Sequence, residues 1–183
     1  MKYKTMIAAL LIAVAIQGSA QSAPESRAQE TQARGLWADP STGLTWAGKD
    51  NGKDVSWKGA VSYCRDLRLG GQTDWRLPTL DELKSIYDPS VNAPGLAGPG
   101  KGSPDTWHVK GNIFLTGHQW SANRRMDDRG KPSGYDWWFS FNDGKANNDP
   151  TGFFYPYKFM RALCVRGTQI VRPKEGSTLQ PIP

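Results

Sequence analysis

The residues best suited to chemistry are a knot of cations, Arg124-Arg125-Met126-Asp127-Asp128-Arg129-Gly130-Lys131, shortly after Trp120-Ser121. Guanidinium forks meet carboxylate or sulfate oxygens in pairs, so Arg124, Arg125 and Arg129, with Lys131 beside them, form a candidate site for an acidic ligand. Asp127 and Asp128 dilute the field, and a run of mixed charge equally suits a solvated loop with internal ion pairs. Lys145 and Lys158 extend the patch if the fold brings them near. Aromatic residues crowd the stretch from Trp137 to Phe159, more than one sheet face easily hides. Core packing is the commoner fate of such rings, but Trp138 and Tyr155 are the candidates for exposure, where a ring stacks on a sugar or anchors a protein partner.

Other reactive residues lack the company that catalysis needs. His108 and His118 are the only histidines, and nothing near either completes a triad or a ligand set of recognisable spacing. Asp74 and Arg76 read as a structural ion pair or backbone clamp near the second helix rather than an acid–base pair. No catalytic residue, metal site or cofactor is expected, and the chain is read as a non-enzyme.

The compartment decides what the two cysteines mean. Lys2 and Lys4 precede an apolar run from Met6 to Ile16, and Gly18-Ser19-Ala20 follows with small residues where a signal peptidase cuts. The run is about half of the roughly 20 apolar residues that cross a bilayer, so residues 1–20 read as a cleaved signal peptide and not an anchor. A periplasmic or secreted location follows. Removal of 20 residues from 183 leaves 163, a length for one domain. The 23 basic residues lose Lys2 and Lys4, leaving 21 against 17 acidic ones, and the net charge falls from +6 to +4. Mild basicity permits acidic partners without requiring them, and no nucleic-acid module is recognisable. An oxidising compartment favours pairing Cys64 with Cys164, while a redox pair or metal ligands remain the competing readings.

The elements that must position these residues read as follows. Gln21 to Arg34 is a polar, flexible leader, and the fold starts near Gly35. Two short strands flank Asp39-Pro40-Ser41-Thr42-Gly43. Ser56 caps a helix with apolar positions Trp57, Ala60, Val61, Cys64 and Leu67, ended by Gly70-Gly71. Thr79 and Glu82 form the capping box of a second helix whose stripe runs through Leu80, Leu83, Ile86 and Tyr87 to a stop at Asp88-Pro89. Pro89 to Asp105 is a long loop rich in Gly and Pro and a candidate binding element. Strand-like runs follow at 113–115, 119–122, 137–141 and 159–165, for which antiparallel pairing is expected, with Asn142-Asp143-Gly144 as a tight turn. In the last run Met160, Ala162 and Cys164 share one face, with Arg161 on the other. Thr168 to Pro183 reads as a disordered tail.

The ordered set Thr42-Gly43-Leu44-Thr45-Trp46, Trp57 to Cys64, Asp74-Trp75-Arg76-Leu77-Pro78-Thr79 with Glu82-Leu83, Trp120-Ser121, and Arg161-Ala162-Leu163-Cys164-Val165-Arg166 resembles the Lcl C-terminal domain family over about 35–167. The family takes its name from the end domain of a bacterial collagen-like adhesin and was long catalogued as a domain of unknown function. The resemblance implies an α+β, C-type-lectin-like fold: two helices packed on a twisted antiparallel sheet, a long loop region, and a disulfide from the first helix to the final strand. It also implies recognition at the bacterial surface, including adhesion to glycans, and supplies no shared catalytic residues. The calcium-dependent sugar site of animal lectins needs a Glu-Pro-Asn or Gln-Pro-Asp loop and a Trp-Asn-Asp motif, and this chain has neither. Phe141-Asn142-Asp143 and Asn147-Asn148-Asp149-Pro150 supply oxygens, but turn formation explains them as well. The expectation is a secreted or periplasmic recognition module for acidic or sulfated glycans or surface polymers. The alternative is a cell-envelope subunit that grips a protein partner.

Overall fold

A computed structural model describes residues 35–93, 95, 106–150 and 159–168. The expected signal peptide and leader, nearly all of the tail, Tyr155, Lys158 and most of the Gly/Pro loop lie outside the described residues.

The opening hairpin is built by its turn. Asp39, itself buried, accepts from the Ser41 amide at 2.9 Å, the Ser41 hydroxyl at 2.7 Å and the Thr42 hydroxyl at 2.6 Å, and Gly43 supplies the positive φ that closes the turn. The turn joins β1 (Leu36–Ala38) to β2 (Thr45–Ala47), with Trp37 opposite Trp46. β2 pairs on its other side with β7 (Val165–Arg166), which gives a three-stranded sheet in the order β1-β2-β7. Arg76 exchanges both backbone bonds with Val165, so the Asp-Trp-Arg-Leu-Pro segment lies along the outer side of β7.

Helix α1 (Trp57–Asp66) is capped by the Ser56 hydroxyl, which accepts from the Gly59 amide at 3.1 Å, and it buries Ala60 and Cys64. Cys64 bonds to Cys164 across a sequence separation of 100, joining the helix to the segment that enters β7. Helix α2 (Leu80–Ser85) has the full capping box: the Thr79 hydroxyl accepts from the Glu82 amide and the Glu82 carboxylate accepts from the Thr79 amide. It is shorter than its apolar stripe. Ile86 closes the last turn, and Tyr87 leaves to bridge Val109.

The second sheet has the order β5-β4-β3-β6, from β3 (His118–Met126), β4 (Pro132–Phe139), β5 (Ala146–Pro150) and β6 (Met160–Arg161). β3 with β4 and β4 with β5 are antiparallel, but β6 runs parallel to β3, against the expectation of uniform antiparallel pairing. Parallel neighbours need a long crossover, and the stretch from Asp127 to Phe159 separates these two. The expected single strand at 159–165 is divided: β6 belongs to one sheet and β7 to the other, with Ala162–Cys164 passing between them. Every residue from Met160 to Val165 is buried, Arg161 included. In the expected strand at 113–115, Phe114 and Leu115 form isolated bridges instead, with the Phe114 amide on the Gly48 carbonyl at 2.9 Å.

Between the sheets and helices lies one core that includes Trp46, Trp107, Trp120, Phe139, Leu83 and Leu163. A buried polar network crosses it. Asp50 accepts from the Thr116 amide (2.7 Å), the Thr116 hydroxyl (2.8 Å), Gln119 Nε2 (3.0 Å) and the Gly52 amide (3.0 Å). Arg161 donates from Nε to the same Thr116 hydroxyl at 2.7 Å and pairs with Asp54. Asp54 also accepts from the amide of Phe159, which has a positive φ of 69°. The carboxylates thus anchor the loop after β2 to the start of β3 and to β6.

Candidate functional site

The cation cluster lies on the β3–β4 hairpin, with Arg124 and Arg125 inside β3 and Arg129 and Lys131 in the connection to β4. The structure gives the two neighbouring arginines different tasks. Arg124 donates from Nε to Asp136 at 2.9 Å, and Asp136 is fully buried. The Arg124 guanidinium also covers the Trp57 ring at 4.6 Å, while Trp57 Nε1 donates to the Ser121 carbonyl at 2.8 Å. Arg124 therefore joins α1 to the hairpin and is mainly a structural residue, although its side chain is 30% exposed.

Arg125 is exposed. Its Nη1 donates to Asn148 Oδ1 on β5 at 3.0 Å, and its guanidinium stands 5.7 Å from the Tyr135 ring centroid. Tyr135 is 40% exposed. Alternation along β4 puts Tyr135 and Trp137 on one face and Asp136 and Trp138 on the other. Trp137 sits opposite Asn148 and is half-buried outside the core cluster. The hairpin face thus presents one cation, two aromatic rings and one amide from three adjacent strands.

Of the remaining candidates, Arg129, Lys131 and Lys145 lie outside the paired strands. Arg129 and Lys131 are exposed at the hairpin end, where Asp127 Oδ1 accepts from both of their backbone amides, at 3.0 and 2.8 Å. Lys145 pairs with Asp143 at 3.1 Å in the turn before β5. Burial works to raise the Asp143 carboxyl, but hydrogen bonds from Ser140 and Lys145 hold it below the ordinary carboxylate range. Lys145 pairs through its carbonyl with the Ser140 amide, five residues along the chain from Tyr135 and roughly 16 Å at about 3.3 Å per residue, so the sheet does not bring Lys145 to Arg125. Trp138 is half-buried, tilted against His118 with ring centroids 4.8 Å apart, and its indole nitrogen is buried with no hydrogen-bond partner among the described residues. It belongs to the inner face. His118 also meets Trp107 edge-on, and His108 Nδ1 lies 2.8 Å from the Val91 carbonyl, where it ties down the start of the Gly/Pro loop.

Asn142 donates to the Thr106 carbonyl at 3.3 Å, and Asp143 is engaged in its turn. Among the described residues no three His, Cys, Asp or Glu side chains are placed to hold a metal ion. None of the described helices is long and apolar enough to cross a membrane.

Sequence reasoning passed over Tyr135, and it noted Trp137 only as one of a crowd of aromatics and Asn148 only as an oxygen donor in a turn. The spacing of two between Tyr135 and Trp137, in a strand with Asp136 between them, was a usable sign that both point the same way. Asn148 carried no sign of this role, because the role depends on register with Trp137.

The fold and this face define a two-sheet α+β domain, held by one disulfide and presenting an aromatic and cationic strand surface. The model for the family described as the Lcl C-terminal domain matches residues 35–166, and the chain belongs to that family. No curated protein matches the chain.

Proposed function

We propose that this protein is an exported, non-catalytic recognition module for acidic glycans or cell-surface polymers, acting as an adhesin does. The observation that carries the reading is the group of exposed Arg125 and Tyr135 with half-buried Asn148 and Trp137 beside them. A planar guanidinium next to one exposed ring and one half-buried ring offers an anionic sugar both charge and an apolar stacking surface. Export is supported by the signal-like N-terminal segment and by the Cys64–Cys164 bridge, since disulfides persist in oxidising compartments. A C-type-lectin-like fold is part of the same reading, supported by two helices, two sheets and a bridge from the first helix to the segment before the last strand.

The test is binding of the oxidised protein to sulfated, carboxylated and neutral glycans, with Arg125→Glu and Tyr135→Ala as variants. Arg124→Glu is a poor probe, because it would set a carboxylate against buried Asp136. Selective binding to anionic glycans that both variants weaken is the expected result. Silence across the panel would remove this reading and favour an envelope protein partner, for which Met126, 54% exposed near the hairpin end, is the natural contact.

A further inference from the structure

Resting on the recognition reading above, we infer that the ligand is a sugar ring bearing a single carboxylate, of the uronic or sialic acid kind, and not a densely sulfated polymer. The charge distribution of the hairpin is the first reason. Between His118 and Phe139 four cations face three carboxylates, a net charge of +1. Arg124 is already matched by Asp136, while Arg129 and Lys131 sit beyond the paired strands at the hairpin end, their backbone amides bound to Asp127. Lys145, at the far end of the strand, is matched by Asp143. A polyanion needs a row of uncompensated cations to gain from its charge density, and among the described residues the paired strands of this face hold only Arg125.

The geometry around Arg125 is the second reason. Nη1 is occupied by Asn148 Oδ1, which leaves the edge formed by Nε and Nη2. Two parallel N–H groups on one edge fit the two oxygens of a planar carboxylate. Tyr135 and Trp137, two residues apart on the same face, stand about 7 Å from each other along the strand. That is the scale of one pyranose ring and its neighbour. Asn148 Nδ2 has no described partner and is a donor for a hydroxyl. The surface therefore offers one fork, two rings and one amide, a set for one charged sugar unit.

The experiment uses the intact oxidised chain and three probes: a disaccharide containing glucuronic acid, the same disaccharide with its carboxyl reduced to the alcohol, and dextran sulfate. Loss of the carboxylate should weaken binding at least tenfold, about the contribution of one charge-assisted bidentate contact. Raising NaCl from about 50 to about 500 mM should weaken the disaccharide by no more than roughly fivefold, as for one exposed ion pair. Arg125→Lys keeps the charge but removes the fork, and it should cost roughly tenfold for the disaccharide. Preference for dextran sulfate, with steep salt dependence and indifference to Arg125→Lys, would overturn this inference while leaving the recognition reading in place. Equal binding of the acid and its reduced form would overturn it too. Failure of all three probes would overturn both.

Discussion

Replacing Asp50 with alanine should be among the most damaging single changes in the core. Its carboxylate accepts four hydrogen bonds, and three of the donors, the Thr116 amide, the Thr116 hydroxyl and Gln119 Nε2, are buried. The fourth, the Gly52 amide, belongs to an exposed residue and can turn to water. A buried donor left without an acceptor costs about 1–3 kcal/mol. Three of them imply roughly 3–6 kcal/mol, taking the lower part of the range because water can enter the space vacated by the carboxylate. That is a large share of the 5–15 kcal/mol that ordinarily separates folded from unfolded chains. Asp50→Asn keeps one oxygen facing the Thr116 amide and Gln119, so about 1–2 kcal/mol is expected for it. Urea unfolding followed by tryptophan fluorescence is the assay, since Trp46, Trp107 and Trp120 are fully buried and report loss of the core. An Asp50→Ala midpoint equivalent to less than about 1 kcal/mol of destabilisation would refute the network as a stabilising element.

Three further outcomes are expected. Reducing Cys64–Cys164 releases a constraint across 100 residues, and the urea midpoint in dithiothreitol should fall by the equivalent of about 4–5 kcal/mol; an unchanged midpoint would mean that the unfolded chain is already compact. For Glu82, burial works to raise the carboxyl, but hydrogen bonds from Arg76 and the Thr79 amide outweigh it and hold it below its ordinary value of 4.5. Its contribution is therefore present above the unfolded-state value and is lost as pH falls through the depressed folded-state value, so the stability gap between wild type and Glu82→Gln should narrow on acidification below about pH 4.5. A gap independent of pH would show that the carboxylate charge is irrelevant. Gly111→Ala places a Cβ 2.1 Å from the Trp37 ring at a φ of +77°, and roughly 2 kcal/mol of destabilisation is expected, of which Trp37→Ala in the same chain should relieve the steric part but not the backbone part; thermal melts of the single and double variants separate the two.

The residues that act locally were legible in the sequence, and those that act across the chain were not. Ser56 and Thr79 with Glu82 mark helix starts because a cap needs only a side chain and an amide two or three residues away. The Asp39–Gly43 turn is local in the same way, and Cys64 faces inward because helical periodicity places it with Ala60. The membership of the family and the α+β class followed from such local motifs kept in order.

Tertiary structure alone decided the rest, because the deciding partners are far apart along the chain. Asp50 and Thr116 are 66 residues apart, and no local pattern marks either as half of a buried bond. Arg161 occupies a position where alternation suggests an outward side chain, yet it is buried, because Thr116 and Asp54 satisfy its donors. Arg124 and Arg125 are equivalent in sequence. Strand direction turns the first onto Asp136 and Trp57 and the second onto Asn148 and Tyr135, so one becomes a strut and the other a candidate contact. Composition and periodicity set the elements and the inventory of charges, whereas register and burial assigned each charge its partner, since a partner is a matter of position in space and not of spacing along the chain.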